Sequence, residues 1–266
     1  MTDAATGAVV LTLKARLEAP LDMSGVTPDR CANLSQGEIA ALPVWVGGRR
    51  ASLGDLWTVR GERALRLDVE GDLEHVHGLG ARMTDGLLHV HGNAGDDAGQ
   101  AMSGGVLRVD GHAGDRLGGP SPGASRGMTG GEILVFGSAG DSAAALVRRG
   151  LVAVVGAVGA YAGRGMIAGT LLALGPVGEL PGVGNKRGSI VAAGSVAVPA
   201  SYRWACAYEP PHLRLLLTSL RRRFGFPCDP ALLNGRFDRY CGDAGEPGKG
   251  EILVWTSHER RADMRG

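Results

Sequence analysis

The chain has 266 residues, of which 28 are Lys or Arg and 27 are Asp or Glu, so its formal net charge is +1. This balance excludes a polybasic nucleic-acid-binding surface or an acidic tail as the organising feature. Hydrophobic residues make up 44% of the sequence, which excludes a disordered chain. Glycine is abundant at 45 residues and aromatic residues are scarce at 5%, which predicts many short strands joined by tight turns.

No targeting or cross-linking signal stands out in the sequence. The apolar stretch at 9–13 is too short for a signal peptide, and no apolar run approaches the roughly 18 residues that cross a membrane. The cysteine spacing fits neither a zinc site nor a disulfide framework. The cysteines are Cys31, Cys206, Cys228 and Cys241. We therefore expect a cytoplasmic chain with no membrane partner and no nucleic-acid partner.

Residues 1–61 form the first of three predicted segments, a small α/β lead-in. Val9–Leu13 and Pro43–Val46 have the apolar, β-branched character of strands. Residues 35–39 predict a brief helix.

A glycine repeat runs through the second predicted segment, residues 62–198. Its anchors are Gly71, Gly92, Gly111, Gly137, Gly156, Gly175 and Gly194. The intervals between them are 21, 19, 26, 19, 19 and 19 residues. From the second copy onward, another glycine precedes each anchor by six residues. The long interval has seven extra residues, which we place at 118–124, where Gly and Pro predict an inserted turn.

Apolar residues recur in register between the glycines. Four and two residues before each anchor stand pairs such as Leu67 and Val69, and a spacing of two on one face is a strand signal. A methionine column lies nine residues before most of the later anchors, and Asn185 interrupts it at the seventh copy. The column consists of Met83, Met102, Met128, Val147 and Met166. Methionine is suited to filling an irregular interior corner.

This pattern predicts an all-β fold, a right-handed parallel β-helix of about seven 19-residue coils. A helical repeat would need a period of about 33 residues or more, and the leucine-rich-repeat signature is absent. Each strand would pair with the next coil at a spacing of about 4.8 Å. Glycine would supply positive φ or close backbone approach at the corners, and the right-handed sense follows the usual rule for parallel crossovers.

The residues between the core columns should point outward, and their character changes along the stack. In the first three coils they are Asp68, Glu70, His89, His91, Arg108 and Asp110. In the last four coils they are Leu134, Phe136, Ala153, Val155, Leu172, Leu174, Val191 and Ala193. An apolar face of this length needs a cover. The favoured cover is the chain's own C-terminal segment, and the alternative is a partner protein.

The third predicted segment, residues 199–266, packs on the coils or on a partner. Residues 212–223 predict an amphipathic helix, and residues 252–255 predict a strand. The leucines on one face of the helix are Leu213, Leu216, Leu217 and Leu220. The basic end at 221–223 suits the helix dipole and could bind an anion or a partner, although a solvated helix end is favoured.

No catalytic motif is present, so we predict no catalytic, cofactor-binding or metal-binding residue in this chain. Two histidine pairs, at 75–77 and 89–91, are the best candidates for metal ligands. Stacking predicts that His89 lies between Asp68 and Arg108, and His91 between Glu70 and Asp110, so polar ladders between coils are favoured over a metal. The basic glycine-rich corner at 182–188 could cradle an anion, but a solvated turn is favoured.

The repeat resembles a known family. Its Gly-x-Ala-Gly copies at 92–95, 111–114 and 137–140, and its Met-x-Gly-Gly copies at 102–105 and 128–131, look like the glycine-repeat domain found in the C subunit of formylmethanofuran dehydrogenase. The C-terminal domain of glutamate synthase large subunits shares that repeat. The stretch 53–61 is similar to the lead-in of the formylmethanofuran dehydrogenase proteins.

The resemblance implies a non-catalytic structural subunit of a larger enzyme complex in one-carbon metabolism. One version is the bacterial formyltransferase/hydrolase complex of methylotrophs, which transfers formyl from formyl-tetrahydromethanopterin to a methanofuran-type carrier and releases formate during formaldehyde oxidation. The other version is the archaeal molybdenum or tungsten formylmethanofuran dehydrogenase. Arginine far outnumbers lysine, which occurs only at Lys14, Lys186 and Lys249, and this composition favours the bacterial complex. A glutamate-synthase-type domain is a further alternative.

The resemblance also implies the partners. The chemistry and the two carriers would belong to amidohydrolase-like and formyltransferase subunits, with this chain as one member of a hetero-oligomer.

A self-sufficient β-helix enzyme acting on a polymer is disfavoured, because the outward carboxylates are too few and too mixed with cations.

Overall fold

The computed structural model describes residues 7–256. The first six residues of the predicted lead-in and the last ten of the predicted C-terminal segment lie outside the described residues. The helices are α1 (Pro28–Cys31), α2 (Gln36–Ala40), α3 (Leu53–Leu56), α4 (Pro211–Phe224) and α5 (Pro230–Leu233). The strands are β1 (Val9–Leu13), β2 (Leu21–Asp22), β3 (Pro43–Val46), β4 (Arg49–Ser52), β5 (Trp57–Arg60), β6 (Arg66–Glu70), β7 (Val76–His77), β8 (Leu87–His91), β9 (Val106–Val109), β10 (Glu132–Val135), β11 (Leu151–Val154), β12 (Thr170–Ala173), β13 (Ser189–Ala192), β14 (Arg203–Tyr208), β15 (Arg236–Gly242) and β16 (Gly250–Thr256).

The elements predicted outside the repeat form where their sequence patterns lie. The strands β1 and β3 have the predicted bounds. The helix α2 begins after Ser35, and Ser35 and Glu38 form a reciprocal capping box that satisfies free N–H groups of its first turn. The helix α4 is one residue longer at each end than predicted, and Gly225 ends it in the left-handed conformation. None of the helices between residues 7 and 256 is long and apolar enough to cross a membrane.

One 12-stranded sheet dominates the molecule, in the order β14-β15-β16-β13-β12-β11-β10-β9-β8-β6-β1-β5. From β6 to β13 its neighbouring strands pair in parallel, and the register follows the sequence repeat, since Leu67 pairs with Leu88 and Leu171 with Ile190. A second column of parallel bridges joins Ala94, Ala113, Ala139, Val158, Val177 and Val196.

Antiparallel pairs flank this parallel ladder. The strand β1 pairs antiparallel with β5, and β15 pairs antiparallel with both β14 and β16. The sheet is therefore mixed. The chain is mostly β, as predicted.

A smaller four-stranded sheet has the order β4-β3-β2-β7. Lead-in strands contribute to both sheets, because β1 pairs in parallel with β6 and β2 pairs in parallel with β7. The division into segments 1–61, 62–198 and 199–266 stays a prediction.

The hydrophobic core lies on the inward face of the repeated strands. The inward residues of the strand columns are fully buried from Leu67 to Ala192, and the methionine column from Met83 to Met166 is fully buried beside them. Burial of each Val, Leu or Ile side chain contributes a gross stabilisation of about 1.5–3 kcal/mol. Asn185 ends the methionine column as a buried polar side chain, and its amide exchanges hydrogen bonds with the backbone of Gly188 at 2.9 and 2.7 Å.

Glycine serves two purposes in the repeat, positive φ and close approach of the backbone. The series six residues before the anchors includes Gly150, whose φ of +102° is unfavourable for other residues. In the anchor series the backbones of successive repeats touch, since a Cβ on Gly175 would lie 2.5 Å from the carbonyl carbon of Gly156. Both predicted uses of glycine are therefore present.

Aspartates reinforce one corner in a way that we did not predict from the sequence. The Asp115 N–H donates to Asp96 Oδ1 at 2.9 Å, and the Asp141 N–H donates to Asp115 Oδ1 at 2.8 Å. The Ala160 N–H continues the ladder by donating to Asp141 Oδ1 at 2.8 Å. Each carboxylate thus satisfies a backbone donor of the next repeat.

The chain's own C-terminal segment covers the apolar outward face, which is the arrangement that the sequence favours. The side chains that meet here form one buried cluster. From the sheet and its strand ends it includes Leu134, Leu151, Ala153, Leu172, Val191, Ala193, Phe237 and Leu253, and from the cover it includes Leu213, Leu217, Leu220, Phe226, Cys228 and Leu232. The predicted C-terminal strand, β16, also extends the parallel ladder by pairing with β13.

Candidate functional site

The outward face of the large sheet has a covered half and an open half. The cover packs on β10 to β13, whereas β6, β8 and β9 present polar side chains outward. Alternation of side chains along each strand brings these polar residues onto one face. They are Asp68, Glu70, His89, His91, Arg108 and Asp110.

Four of these residues form a compact group, which we call the His–Asp cluster: Asp68, His89, His91 and Asp110. His89 Nδ1 is 3.4 Å from Asp68 Oδ1, and His89 Nε2 is 2.8 Å from Asp110 Oδ2. His91 Nε2 is 3.1 Å from Asp68 Oδ1, and His91 Nδ1 is 3.6 Å from Asp110 Oδ2. The ring centroids are 3.8 Å apart. Both imidazoles therefore bridge the same two carboxylates.

Two arginines hold the carboxylates in place. Arg66 Nε and a terminal nitrogen donate to the two oxygens of Asp68 at 2.8 and 3.0 Å. Arg108 Nε donates to Asp110 at 2.7 Å, and Arg108 also donates to the Phe224 carbonyl at 3.2 Å. Arg108 thereby connects the cluster to the end of α4.

The protonation states follow from these contacts. Burial by itself would raise the pKa of Asp68, but the hydrogen bonds from Arg66 and His91 outweigh burial and hold that pKa below its usual range. The same balance lowers the pKa of Asp110. Burial lowers the pKa of His89 more than its hydrogen bond to Asp110 raises it. At neutral pH the carboxylates are ionised and His89 is neutral.

The predicted polar ladder is confirmed in its backbone register but differs in its side-chain contacts. His89 lies opposite Asp68 in β6 and Arg108 in β9, and His91 lies opposite Glu70. The hydrogen bonds of the histidines run diagonally, however, and Glu70 instead accepts one from Thr12 at 3.1 Å.

Sequence reasoning missed Arg66, the arginine that holds Asp68 of the cluster. A signal was available, because Arg-x-Asp occurs at 66–68 and again at 108–110, and residues two apart share one face of a strand. In each copy the arginine forms an ion pair with its own aspartate.

The second histidine pair is separate from the cluster. His77 Nδ1 accepts a hydrogen bond from the Asp96 backbone at 2.9 Å, and His75 is exposed. The two residues line a surface depression together with His112. The metal-ligating atoms that gather within 4.8 Å of one another belong instead to Asp68, His89 and His91.

The glycine-rich corner at 182–188 holds a carboxylate of the same chain. The Gly184 N–H donates to Asp243 Oδ2 at 2.9 Å. This hydrogen bond holds the pKa of Asp243 below its usual range. The carboxylate of Asp243 thus accepts the hydrogen bond that the Gly184 N–H would otherwise offer to a bound anion.

The basic end of α4 is partly engaged within the chain. Arg223 forms an ion pair with Glu132 at 2.8 Å, and its guanidinium lies 4.6 Å from the centroid of the Phe224 ring. Arg221 and Arg222 are exposed, in keeping with a solvated helix end.

Comparisons with known proteins include a match along nearly the whole chain. No family model matches the sequence. In three dimensions the chain is similar to a chain of the formyltransferase/hydrolase complex FhcABCD from Methylorubrum extorquens, whose crystal structure contains methylofuran. The TM-score is 0.76 and the sequence identity is 30%, and the match covers 93% of this chain and 100% of that chain.

Curated relatives match over a shorter stretch. The C subunit of tungsten-containing formylmethanofuran dehydrogenase 2 from Methanothermobacter marburgensis is 32% identical over 90 residues, which are 32% of this chain and 33% of the relative. The C subunit of molybdenum-containing formylmethanofuran dehydrogenase 1 from Methanosarcina barkeri is 30% identical over 94 residues, which are 33% and 31% of the two chains. The matched stretch spans about a third of the length of these curated relatives.

Proposed function

The chain belongs to the family of formylmethanofuran dehydrogenase C subunits, and from this premise we propose that it is a non-catalytic structural subunit of a formyltransferase/hydrolase complex. The observation that carries this proposal is the three-dimensional match to a chain of such a complex, which extends over 93% of this chain. The curated dehydrogenase subunits match only about a third of it.

In the proposed complex, formyl passes from formyl-tetrahydromethanopterin to a methanofuran-type carrier and is released as formate. We assign these steps to amidohydrolase-like and formyltransferase partner subunits. The open face, formed by β6, β8 and β9, presents charged, hydrogen-bonded side chains, whereas cofactor pockets are concave and mostly apolar. This difference supports the proposal that the carriers bind to the partner subunits.

The proposed structural role rests on a right-handed parallel β-helix. Parallel register along β6 to β13 and the second column of bridges from Ala94 to Val196 support this architecture. A stack of this kind is extended and rigid, because each coil is held by its neighbours. It can therefore hold partner subunits at fixed separations.

The edge strand β14 supports the partner role. It forms one end of the large sheet, and Trp204 on it is 58% exposed. Exposed edge strands and exposed tryptophans are favourable sites for protein association. We propose that β14 is covered by one of the partner subunits.

The C subunit of a molybdenum or tungsten formylmethanofuran dehydrogenase is the second candidate. It is favoured by the local identity of 32% over 90 residues to the protein of the tungsten enzyme. The two candidates differ in their partners, since only the dehydrogenase would have a metal-containing redox subunit.

Affinity purification of the tagged full-length chain from its native host, followed by mass spectrometry, tests the proposal. We expect amidohydrolase-like and formyltransferase subunits in fixed ratios. Recovery of a molybdenum or tungsten subunit would support the second candidate, and recovery of a flavin and iron–sulfur partner would support a glutamate-synthase-type role. If the purified chain alone hydrolysed a formylated furan carrier, the non-catalytic role would be wrong.

A further inference from the structure

The His–Asp cluster has the composition and spacing of a metal site. Two imidazole nitrogens and a carboxylate oxygen suit divalent first-row transition metals such as Zn²⁺. Ligand atoms lie about 2.0–2.2 Å from such an ion, so two ligands of one ion are about 2.8–3.6 Å apart for angles between octahedral and tetrahedral. Asp68 Oδ1 is 3.4 Å from His89 Nδ1 and 3.1 Å from His91 Nε2, which are both within this range.

We propose that Asp68, His89 and His91 bind a divalent first-row transition metal ion, with Zn²⁺ as the favoured ion. The ligand atoms of the three residues lie within 4.8 Å of one another. This inference is independent of the proposed subunit role, because it depends only on side chains of this chain.

The surroundings of the three ligands match those of a metal site. A metal-ligating histidine usually donates its other ring N–H to a carboxylate, a backbone carbonyl or water, which orients the ring. His89 meets this condition, because its Nε2 donates to Asp110 at 2.8 Å while its Nδ1 faces Asp68. Asp110 is itself held by Arg108 at 2.7 Å.

His91 can ligate through Nε2, because its other ring nitrogen faces a carboxylate. Its Nε2 faces Asp68 Oδ1 at 3.1 Å, and its Nδ1 faces Asp110 at 3.6 Å. When a metal takes Nε2, the ring proton would lie on Nδ1, which faces Asp110 Oδ2 at 3.6 Å, and a small movement of either side chain would bring the two within hydrogen-bond distance. Asp110 would then be the outer carboxylate of both histidines.

The site is held on one side and open on the other. Arg66 donates to both oxygens of Asp68, whose side chain is 7% exposed, and a carboxylate has lone pairs beyond the two that Arg66 occupies. The His91 side chain is 37% exposed, so water can reach the ion and complete its coordination.

The test is titration of the full-length chain with ZnSO₄ by calorimetry and with Co²⁺ by visible absorption. We expect one ion per chain, with a dissociation constant in the micromolar range or below. Co²⁺ should develop the visible bands of a site with nitrogen and oxygen ligands.

Matched variants locate the ion. His91→Gln removes a partly exposed ligand and should weaken Zn²⁺ binding more than about 10-fold, and Asp110→Asn should weaken it about 10–100-fold through loss of the outer carboxylate. His75→Gln is the control, since it alters the other His-Val-His sequence and should leave binding unchanged. Circular dichroism without metal establishes that each variant is folded.

Three results would overturn the proposal. They are absence of saturable binding of either ion, wild-type affinity in His91→Gln, and an equal loss of affinity in His75→Gln. If the cluster binds protons but no metal ion, neither Zn²⁺ nor Co²⁺ will show saturable binding.

Discussion

At the residue scale, the repeats depend on how closely their backbones approach one another. The anchor glycines contact the preceding repeat directly, and Gly156 and Gly175 lie one above the other with no room for a side-chain carbon between them. A substitution there must separate two repeats whose spacing is set by hydrogen bonds, among them the bond from the Gly156 N–H to the Gly137 carbonyl at 2.8 Å. Even one added methyl group should therefore disturb the hydrogen bonds between the two repeats.

Gly175→Ala should destabilise the chain by about 1–3 kcal/mol, because its Cβ would overlap the backbone of Gly156. Gly37→Ala is the control, since Gly37 lies in α2 with nothing within 4 Å of the position that a Cβ would take, and alanine there should be neutral or stabilising by up to about 1 kcal/mol. Thermal and urea unfolding of both variants measure the difference. Equal stability of the two variants would contradict the close approach.

The carboxylate at the glycine-rich corner makes stability depend on pH. The hydrogen bond from the Gly184 backbone lowers the pKa of Asp243, so the folded chain releases this proton more readily than the unfolded chain. The resulting stabilisation is present above the unfolded value of about 3.9 and is lost as the pH falls through the lower folded value.

Asp243→Asn should therefore lower the melting temperature at pH 7, and the difference from the wild type should shrink as the pH falls below about 4. Asparagine keeps the size of the side chain and removes its titration, but it leaves one acceptor oxygen for the two backbone N–H groups that Asp243 accepts from, so only the part of the difference that changes with pH reports on the charge. Melting temperatures of both proteins from pH 7 to pH 3 provide the measurement. A difference that is constant over this range would show that the charge of Asp243 has no part in stability.

At the element scale, α4 packs on the apolar half of the sheet and shields it from solvent. Leu213, Leu217 and Leu220 are each 2% exposed or less, whereas Leu215 on the opposite side of the helix is 73% exposed. The 3.6-residue period of the helix thus matches its buried face to the sheet. The cover ends where the outward residues become polar, and there Arg108 contacts the end of α4.

Leu217→Ala should destabilise the chain by about 2–5 kcal/mol, because the cavity it leaves lies between α4 and the sheet. Leu215→Ala, with the same change in composition, should alter stability by less than about 0.5 kcal/mol. Urea unfolding of both variants gives the comparison. If Leu215→Ala proved as destabilising as Leu217→Ala, α4 would not pack on the sheet through the predicted face.

At the scale of the whole molecule, the two ends of the large sheet differ in what they offer a partner. One end is β5, which belongs to the lead-in, and the other is β14 with Trp204. The proposed subunit role places a partner on β14, where a large aromatic side chain is already exposed.

Trp204→Ala should reduce the recovery of partner subunits in affinity purification without lowering the melting temperature of the isolated chain. Trp45→Ala is the control, because Trp45 is also a tryptophan exposed by 48% but lies in the smaller sheet. Recovery quantified by mass spectrometry decides the outcome. Undiminished recovery with Trp204→Ala would remove β14 from the proposed interface.

The strand columns, the buried methionines and the strand register were all predictable from the order of the amino acids. These features repeat every 19 residues in most copies, and a periodic backbone gives the same local environment to each copy, so pattern alone was sufficient. The elements β1, β3, α2 and α4 were also predictable, because their apolar spacing is local.

Only the folded structure established which segment covers the apolar face and which side chains are in contact on the open face. Both depend on contacts between residues far apart in the chain, as between Arg108 and Phe224 or Gly184 and Asp243. Side-chain rotamers fixed the rest: register placed His91 opposite Glu70, but the imidazole turned toward Asp68, where a buried carboxylate held by Arg66 offers the stronger hydrogen bond.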